Sequence, residues 1–282
     1  MSYTKRTYSF NSIDGLTLCG QSWLPLVDVR AEMIIVHGIG EHLGRYESLA
    51  EFFCSKGVAV HAFDLRGHGH SQGKRGVIRH LNDFLNDLNC FDHLIDHSLG
   101  DIPQFLYGHS MGGNLALNYL MQCDHHFAGA VISSPWLGLT HPPAGWICDL
   151  VGWCDDLIPS VTVFNGIHSW HLTSDVVEQD LIINDFLLHN RISVRLFNCL
   201  SRAAADLLEH PKRVNLPVLL LHGTADPVTD CNVTERFAAS VEMASFITYQ
   251  GAKHELHHEK IKNQVFDDVM AWMEPIILKQ HV

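Results

Sequence analysis

An α/β fold built around a mostly parallel, doubly wound sheet is predicted by two features of the sequence. Short apolar runs alternate with segments of helical periodicity, and each run has the length of a strand buried on both faces. Strands that alternate with helices pair in parallel through crossover connections, with helices flanking the sheet. A long segment, 136–205, interrupts the alternation. The sequence therefore predicts one α/β core that carries a helical insertion.

The predicted core elements lie on both sides of this insertion. The strand-like runs are 16–24, 31–36, 58–63, 104–108, 128–133, 218–221 and 245–249. Apolar residues at spacings of three and four predict helices at 81–95 and 265–276. These elements assign residues 1–135 and 206–282 to the first and second parts of one core.

Residues 136–205 are predicted to form a helical cap. Open α/β folds bind ligands at the carboxyl edge of the sheet, so an insertion between two strands is placed to cover that edge. The segment has more apolar side chains than one helical stripe can hold. They include Trp146, Ile147, Leu150, Val151 and Trp153. Two interpretations of this surface stay open: it packs against the core, or it makes transient contact with a membrane to collect substrate.

Composition narrows the range of partners. The formal charge of −12 over 282 residues disfavours nucleic acid and anionic membrane surfaces as electrostatic partners. The sequence shows no export signal and no apolar run long enough to span a bilayer. The eight cysteines form no C-x-x-C pair and the 21 histidines no metal-ligand spacing. We therefore expect a cytoplasmic protein with reduced thiols and without metal or cofactor; the oligomeric state stays open.

The most specific motif is Gly108–Gly113, which reads Gly-His-Ser-Met-Gly-Gly. It follows a predicted strand, precedes a predicted helix, and has the G-x-S-x-G form of the nucleophile elbow of α/β-hydrolases. A serine at such a sharp turn takes a strained backbone conformation, so the residues two positions away on both sides must be nearly free of side chain. Gly108 and Gly112 meet this need. Ser110 is therefore the candidate nucleophile.

A serine nucleophile needs a base to accept its proton and a third group to orient that base. In α/β-hydrolases they follow in the order serine, acid, histidine, each on a loop after a later strand. Asp226 lies just beyond the strand 218–221, and His254 lies in the turn after the strand 245–249. These positions predict Asp226 as the acid and His254 as the base.

Nearby residues compete for both roles. Asp230 or Thr229 is placed to cap the helix that follows, so Asp226 is the better acid. His257 and His258 lie where the last helix is predicted to begin, and we expect them at the surface. His254 is therefore the better base.

An oxyanion hole is predicted from two backbone N–H groups. One belongs to Met111, the residue after the nucleophile, and the other to Ile39 in the glycine-containing loop 37–42. We expect His37 and His42 in the same loop to form structural hydrogen bonds instead of transferring protons.

Three motifs carry a family resemblance. They are H-G-I-G-E-H-L-G-R-Y at 37–46, F-D-L-R-G-H-G-H-S-Q-G at 63–73 and G-H-S-M-G-G at 108–113. Together they resemble the monoacylglycerol lipase and lysophospholipase branch of the α/β-hydrolases. The resemblance implies a cytosolic or membrane-peripheral serine hydrolase of single-chain lipid esters that uses no cofactor. It also implies that Glu41 and Arg45 lie near the polar end of the substrate.

The function expected from these residues is hydrolysis of carboxylic esters through an acyl-enzyme on Ser110, with monoacylglycerol cleaved to fatty acid and glycerol as the leading reaction. The alternatives are a lysophospholipase or general carboxylesterase, a related aminopeptidase in which Glu41 holds the substrate's α-amine, and a non-catalytic lipid-binding α/β-hydrolase.

Overall fold

A sheet of eight strands lies at the centre of the fold. The computed structural model describes residues 2–95 and 102–279, except for the side chains of residues 146–151. The strands are β1 Tyr3–Asn11, β2 Thr17–Pro25, β3 Ala31–Val36, β4 Val58–Phe63, β5 Gln104–His109, β6 Gly129–Ser133, β7 Thr162–Phe164, β8 Arg191–Ser193, β9 Val218–Gly223 and β10 Ala244–Tyr249. The sheet order is β1-β2-β4-β3-β5-β6-β9-β10, and β7 pairs with β8 separately.

Pairing in the sheet is parallel from β4 through to β10, while β1 and β2 are antiparallel to their neighbours. Every residue of β3, β4, β5, β6 and β9 is buried, as the apolar runs predict. β1 is not among the predicted strands. Only two of its side chains are buried because it forms the exposed edge of the sheet, and its sequence is correspondingly polar.

Helices cover both faces of the sheet. They are α1 Glu47–Ser55, α2 Leu81–Leu94, α3 Met111–Gln122, α4 Gly145–Leu157, α5 Ser169–Leu172, α6 Val176–Asn184, α7 Val194–Glu209, α8 Cys231–Ala238 and α9 Lys262–Lys279. α1 and α9 pack on one face through Phe53 and Phe266, and α2, α3, α7 and α8 contribute to the core of the other. None of the helices in the described part of the chain has the length and apolar character that a membrane span needs.

The segment between β6 and β9 contains the irregular part of the fold. It holds α4, α5 and α6 together with the short antiparallel pair β7–β8, whose two strands are separated along the chain by α5 and α6. α7 continues four residues past position 205 and buries Leu196, Leu200 and Leu207 against the sheet core. Because α7 contacts α2 and α3 as well as α4, it joins the insertion to the core.

Candidate active site

Ser110 lies at the tight turn between β5 and α3. Its backbone has φ 54° and ψ −118°, a conformation that L-residues rarely adopt. A Cβ at Gly108 would lie 2.6 Å from the Gly112 carbonyl oxygen, and a Cβ at Gly112 would lie 2.0 Å from that of Val36. The two glycines therefore let β5 and α3 approach closely enough to place the serine at the carboxyl edge of the sheet.

The three predicted polar residues meet at this edge. Ser110 Oγ lies 2.9 Å from His254 Nε2, and His254 Nδ1 lies 2.7 Å from Asp226 Oδ2. They come from the turns after β5, β10 and β9, and all three are buried. The arrangement can move a proton from the hydroxyl to the imidazole while the carboxylate holds the ring in place.

The buried Asp226 carboxyl and the His254 imidazole each stabilise the charged form of the other. Burial opposes ionisation of Asp226, but the neighbouring His254 and His222 rings outweigh it and hold the pKa of the Asp226 carboxyl well below its usual range. Burial also disfavours a charged His254, yet the Asp226 carboxylate raises the pKa of that imidazole above its ordinary value. The site thus keeps the acid ionised and makes the imidazole a stronger base.

Asp226 is held by Thr229, which the sequence offered only as a possible helix cap, and by His222, which the sequence did not single out. Thr229 Oγ1 donates to Asp226 Oδ2 at 2.9 Å, and His222 Nε2 lies 3.0 Å from the same oxygen. The N–H groups of Val228 and Thr229 donate to Oδ1 at 2.7 and 3.1 Å. His222 occupies the buried end of β9, and a histidine in an otherwise apolar strand is the sequence signal that could have identified it.

Asp230 has the other role expected for it. It is the N-cap of α8, where its side chain accepts a hydrogen bond from the Asn232 N–H at 2.8 Å. Its carboxylate is therefore engaged at the helix terminus, and Asp226 is the acid that faces His254.

The two predicted oxyanion donors flank Ser110. Met111 is the first residue of α3, where helix geometry leaves an N–H without an intrahelical partner. Ile39 lines the same cavity as Ser110, and a Cβ at the preceding Gly38 would lie 3.1 Å from Ser110 Cβ. Both residues thus lie beside Ser110, and their role as oxyanion donors stays a prediction.

His37 and His42 form the structural hydrogen bonds expected of them. His37 Nε2 accepts from the Leu65 N–H at 3.0 Å, and burial lowers the pKa of His37 to about 3. His42 Nε2 lies 2.8 Å from Asp185 Oδ2 and therefore ties the loop after β3 to the insertion.

Glu41 and Arg45 both line the cavity beside Ser110, but they are also engaged with protein groups. Arg45 pairs with Glu255 at 2.5 Å and lies 3.6 Å from Glu41. Burial, followed by the charge of Glu255, raises the pKa of Glu41 to about 7. Glu255 is a further residue that the sequence did not single out, although it directly follows His254.

The expectation that His257 and His258 lie at the surface is wrong. Both are buried, and the His257 ring stacks on Tyr46 with ring centroids 4.8 Å apart. His258 Nδ1 lies 2.9 Å from Glu255 Oε2. The segment after β10 turns inward under the loop that contains Arg45 before α9 begins, a tertiary packing that the local polar sequence did not indicate.

Two cavities of different character meet at Ser110. One, of about 420 Å³, has many polar and charged residues in its lining, among them Glu41, Arg45 and His254. The other, of about 530 Å³, is lined mostly by apolar side chains, including Trp136 and Phe197. Four residues line both: Ile39, Ser110, Asn165 and Ile167. An ester at Ser110 can therefore direct an apolar group to one side and a polar group to the other.

Comparison with known proteins places this site in a family. A family model described as serine aminopeptidase, S33 (Hydrolase_4) matches residues 27–261, a range that includes Ser110, Asp226 and His254. The chain belongs to the serine aminopeptidase S33 family. It is also similar to monoacylglycerol lipases, which confirms the resemblance in the sequence motifs.

Individual relatives align with almost the whole length of this chain. Human monoglyceride lipase is 32% identical, over 92% of this chain and 88% of its own. An uncharacterized abhydrolase domain-containing protein of Dictyostelium discoideum is also 32% identical, over 93% of this chain, which spans 28% of that longer protein. The crystal structure of Paleococcus ferrophilus monoacylglycerol lipase superposes with a TM-score of 0.80 at 26% identity, covering 98% and 99% of the two chains. The α/β-hydrolase fold is thereby confirmed.

The insertion of this chain, residues 136–205, exposes apolar side chains. Trp146, Ile147, Leu150 and Val151, named in the membrane hypothesis, lie outside the residues whose side chains are described. Trp153 on the same helix is 81% exposed, so this side chain does not pack against the core. Phe186, after α6, is 94% exposed.

Proposed function

We propose that this chain is a serine hydrolase of single-chain lipid esters, with monoacylglycerol as its leading substrate. The observation that carries the proposal is the hydrogen-bonded chain from Ser110 through His254 to Asp226, located where an apolar and a polar cavity meet. The names of the human and Paleococcus relatives, a monoglyceride lipase and a monoacylglycerol lipase, support the same substrate class.

The proposed reaction begins with attack of Ser110 Oγ on the ester carbonyl carbon while His254 Nε2 accepts the hydroxyl proton. The carbonyl oxygen becomes an oxyanion, which the N–H groups of Ile39 and Met111 stabilise. The tetrahedral intermediate then collapses: the bond to the alcohol breaks, and His254 returns its proton to that oxygen. Water then attacks the acyl carbon while His254 accepts one of its protons, the bond from that carbon to Ser110 Oγ breaks, His254 returns the proton to Oγ, and the fatty acid leaves.

The two cavities suit the two ends of such a substrate. We propose that the acyl chain enters the apolar cavity beside Phe197, where burial of methylene groups stabilises it. The alcohol then occupies the polar cavity, near the wall formed by Glu41 and Arg45. We also propose that residues 136–205 act as a cap that forms part of both cavities.

The test of the nucleophile is Ser110→Ala. We expect hydrolysis of monooleoylglycerol to fall by about a thousandfold or more, and labelling by a fluorophosphonate probe to disappear. Ser240→Ala, which changes an exposed serine after α8, is the matched control and should retain both properties. More than trace activity in Ser110→Ala, or a probe bound at another residue, would contradict the proposal.

Three alternative activities share this geometry. A lysophospholipase or general carboxylesterase would use the same residues with a different alcohol. An aminopeptidase is suggested by the family model's description and would need Glu41 to bind an amine; Oε1 of that carboxyl already accepts from Gly38 and Tyr46, so the amine would have to bind Oε2. Turnover of monoacylglycerol, lysophosphatidylcholine and aminoacyl amides, compared side by side, separates them. Lipid binding without any turnover would support a non-catalytic role.

We further propose that the protein resides in the cytoplasm and contacts membranes transiently through its insertion. The seven cysteines whose side chains are described are all free thiols, which supports a reducing compartment. The exposed side chains of Trp153 and Phe186 support the membrane contact. Cell fractionation tests the location, and vesicle binding tests the contact.

A further inference from the structure

A buried carboxyl group lies shortly after His254 and outside the hydrogen-bonded chain that joins Ser110 to Asp226. It belongs to Glu259, which is 2% exposed and lines neither of the two cavities. Removing a carboxyl group from water is destabilising unless hydrogen-bond partners surround it. The donors around Glu259 therefore identify the parts of the fold that it joins.

Three donors from two parts of the chain surround Glu259. The N–H of Lys253, the residue before His254, donates to Oε1 at 2.9 Å. The Ser174 N–H donates to the same oxygen at 2.9 Å, and the Ser174 hydroxyl donates to Oε2. Because Ser174 belongs to the insertion, one buried side chain connects the insertion to the peptide group next to the base.

Two further hydrogen bonds join the same segments. The Glu255 N–H donates to the Leu172 carbonyl oxygen at 2.7 Å, and the Thr173 hydroxyl donates to the His258 carbonyl oxygen at 2.9 Å. The residues on both sides of His254 are thus bonded to the insertion, one of them directly and the other through the carboxyl group that the insertion also holds.

Proton transfer depends on the position of the His254 ring. Its Nε2 lies 2.9 Å from Ser110 Oγ while its Nδ1 lies 2.7 Å from Asp226 Oδ2. These contacts lie at different edges of one ring, so a shift of the backbone lengthens at least one of them. Misplacing a catalytic group by about 1 Å can cost about a hundredfold in rate.

We propose that Glu259 is a positioning residue for the base, and that it makes the alignment of His254 depend on the insertion. Its side chain holds the Lys253 peptide group and Ser174 together, so displacement of the insertion loosens the turn that contains His254. The inference rests on the proposed ester hydrolase activity and adds a residue that lies outside both cavities. The role requires the geometry of the hydrogen bonds and not a negative charge.

The test compares Glu259→Ala with Glu259→Gln on p-nitrophenyl butyrate, a soluble ester. Alanine removes all three hydrogen bonds, and we expect kcat to fall by about tenfold or more while KM stays within about twofold, because neither cavity changes. Glutamine can keep its oxygen towards both N–H groups while its amide donates to the Ser174 hydroxyl, so kcat should stay within about threefold of the wild type. Glu242→Ala removes an exposed carboxylate and is the matched control, which should change neither constant.

Nucleophile activation and folding are measured on the same variants. The rate at which a fluorophosphonate probe labels Ser110 should fall with kcat in Glu259→Ala, and circular dichroism gives the folded fraction. Ser174→Ala keeps the inference testable if Glu259→Ala does not fold, because it removes only a hydroxyl in the insertion. It should slow labelling by about threefold or more, whereas Ser240→Ala should not.

Several outcomes would overturn the inference while ester hydrolysis itself persists. They are a folded Glu259→Ala protein with the kcat and labelling rate of the wild type, an equal loss of rate in Glu259→Gln, and Ser174→Ala labelled as fast as the wild type. A lower unfolding temperature at unchanged kcat per labelled serine would assign Glu259 a purely structural role. A wild type that neither turns over esters nor reacts with the probe would instead contradict the proposed hydrolase function.

Discussion

At the scale of single residues, the proton affinity of His254 is set by two opposing effects. Burial favours the neutral imidazole, and the Asp226 carboxylate at 2.7 Å favours the charged one and prevails. Asp226 can serve in this way because two histidines, a threonine hydroxyl and backbone N–H groups surround it. The reactivity of Ser110 therefore depends on residues as distant in sequence as His222 and Thr229.

The pH dependence of the reaction follows from this balance. Only neutral His254 can accept the Ser110 proton, and its raised pKa means that kcat/KM falls as the pH drops through a midpoint above 6.5. In Asp226→Asn the carboxylate effect is gone while burial remains, so the midpoint shifts to lower pH and the rate falls by about a thousandfold or more. Rate profiles of monooleoylglycerol hydrolysis between about pH 5 and pH 8 measure both effects.

The matched control for that profile is Asp267→Asn, which changes an exposed carboxylate on α9 and should leave the midpoint in place. A wild-type rate that does not vary with pH over this range would contradict the assignment of His254 as the base. So would an Asp226→Asn profile with an unchanged midpoint.

At the scale of elements, the position of the nucleophile depends on how closely α3 approaches the sheet. Gly112, in the first turn of α3, has the Val36 carbonyl oxygen at the place where a Cβ would stand, 2.0 Å away. That oxygen belongs to the last residue of β3, which leads into the loop containing Ile39. The same contact therefore brings the nucleophile and a proposed oxyanion donor together.

Gly112→Ala should accordingly destabilise the folded protein. We expect the free energy of unfolding to fall by about 3 kcal/mol, because either α3 or β3 must shift to admit the methyl group. Gly152→Ala in α4 is the matched control: apart from its own helix backbone and chain neighbours, no described atom lies within 4 Å of the position that its Cβ would take, and alanine favours a helix over glycine by about 1 kcal/mol. Urea unfolding followed by circular dichroism measures both, and equal stability of the two variants would contradict this account of the turn.

At the scale of the whole molecule, apolar exposure is concentrated in the insertion. α6 buries none of its residues, and the exposed apolar side chains of α6 and of the turn after it are Val176, Val177, Leu181, Ile183 and Phe186. The protein as a whole carries a formal charge of −12. A neutral lipid surface therefore suits the insertion better than an anionic one, which would repel the molecule.

Vesicle binding tests this surface. We expect the protein to bind phosphatidylcholine vesicles, and the double variant Leu181→Ser with Phe186→Ser to reduce its partition by about tenfold or more, because two apolar side chains no longer enter the lipid. Ile13→Ser, at an exposed apolar residue outside the insertion, is the control and should bind as the wild type does. The membrane contact is ruled out if the wild type fails to bind, or if the double variant binds equally well.

The parts of the molecule that could be predicted are those that a local pattern encodes. The buried strands appear as apolar runs, and Ser110, Asp226 and His254 could be singled out because a hydrolase of this fold places them after strands in a set order. His257 and His258 could not be placed correctly, because a polar segment has the same local sequence pattern whether it is exposed to solvent or packed beneath the loop that contains Arg45. The edge strand β1 escaped prediction because its exposed residues do not form an apolar run.

The sequence by itself determined the α/β core, the identity of the three hydrogen-bonded residues and the family motifs, because each depends on spacing along the chain. Only the tertiary structure decided what surrounds them. The partners of Asp226, the pairing of Arg45 with Glu255, and the two cavities that meet at Ser110 all join residues far apart in sequence. The physical reason is that burial, charge compensation and cavity shape depend on distances through space, which the order of residues does not specify.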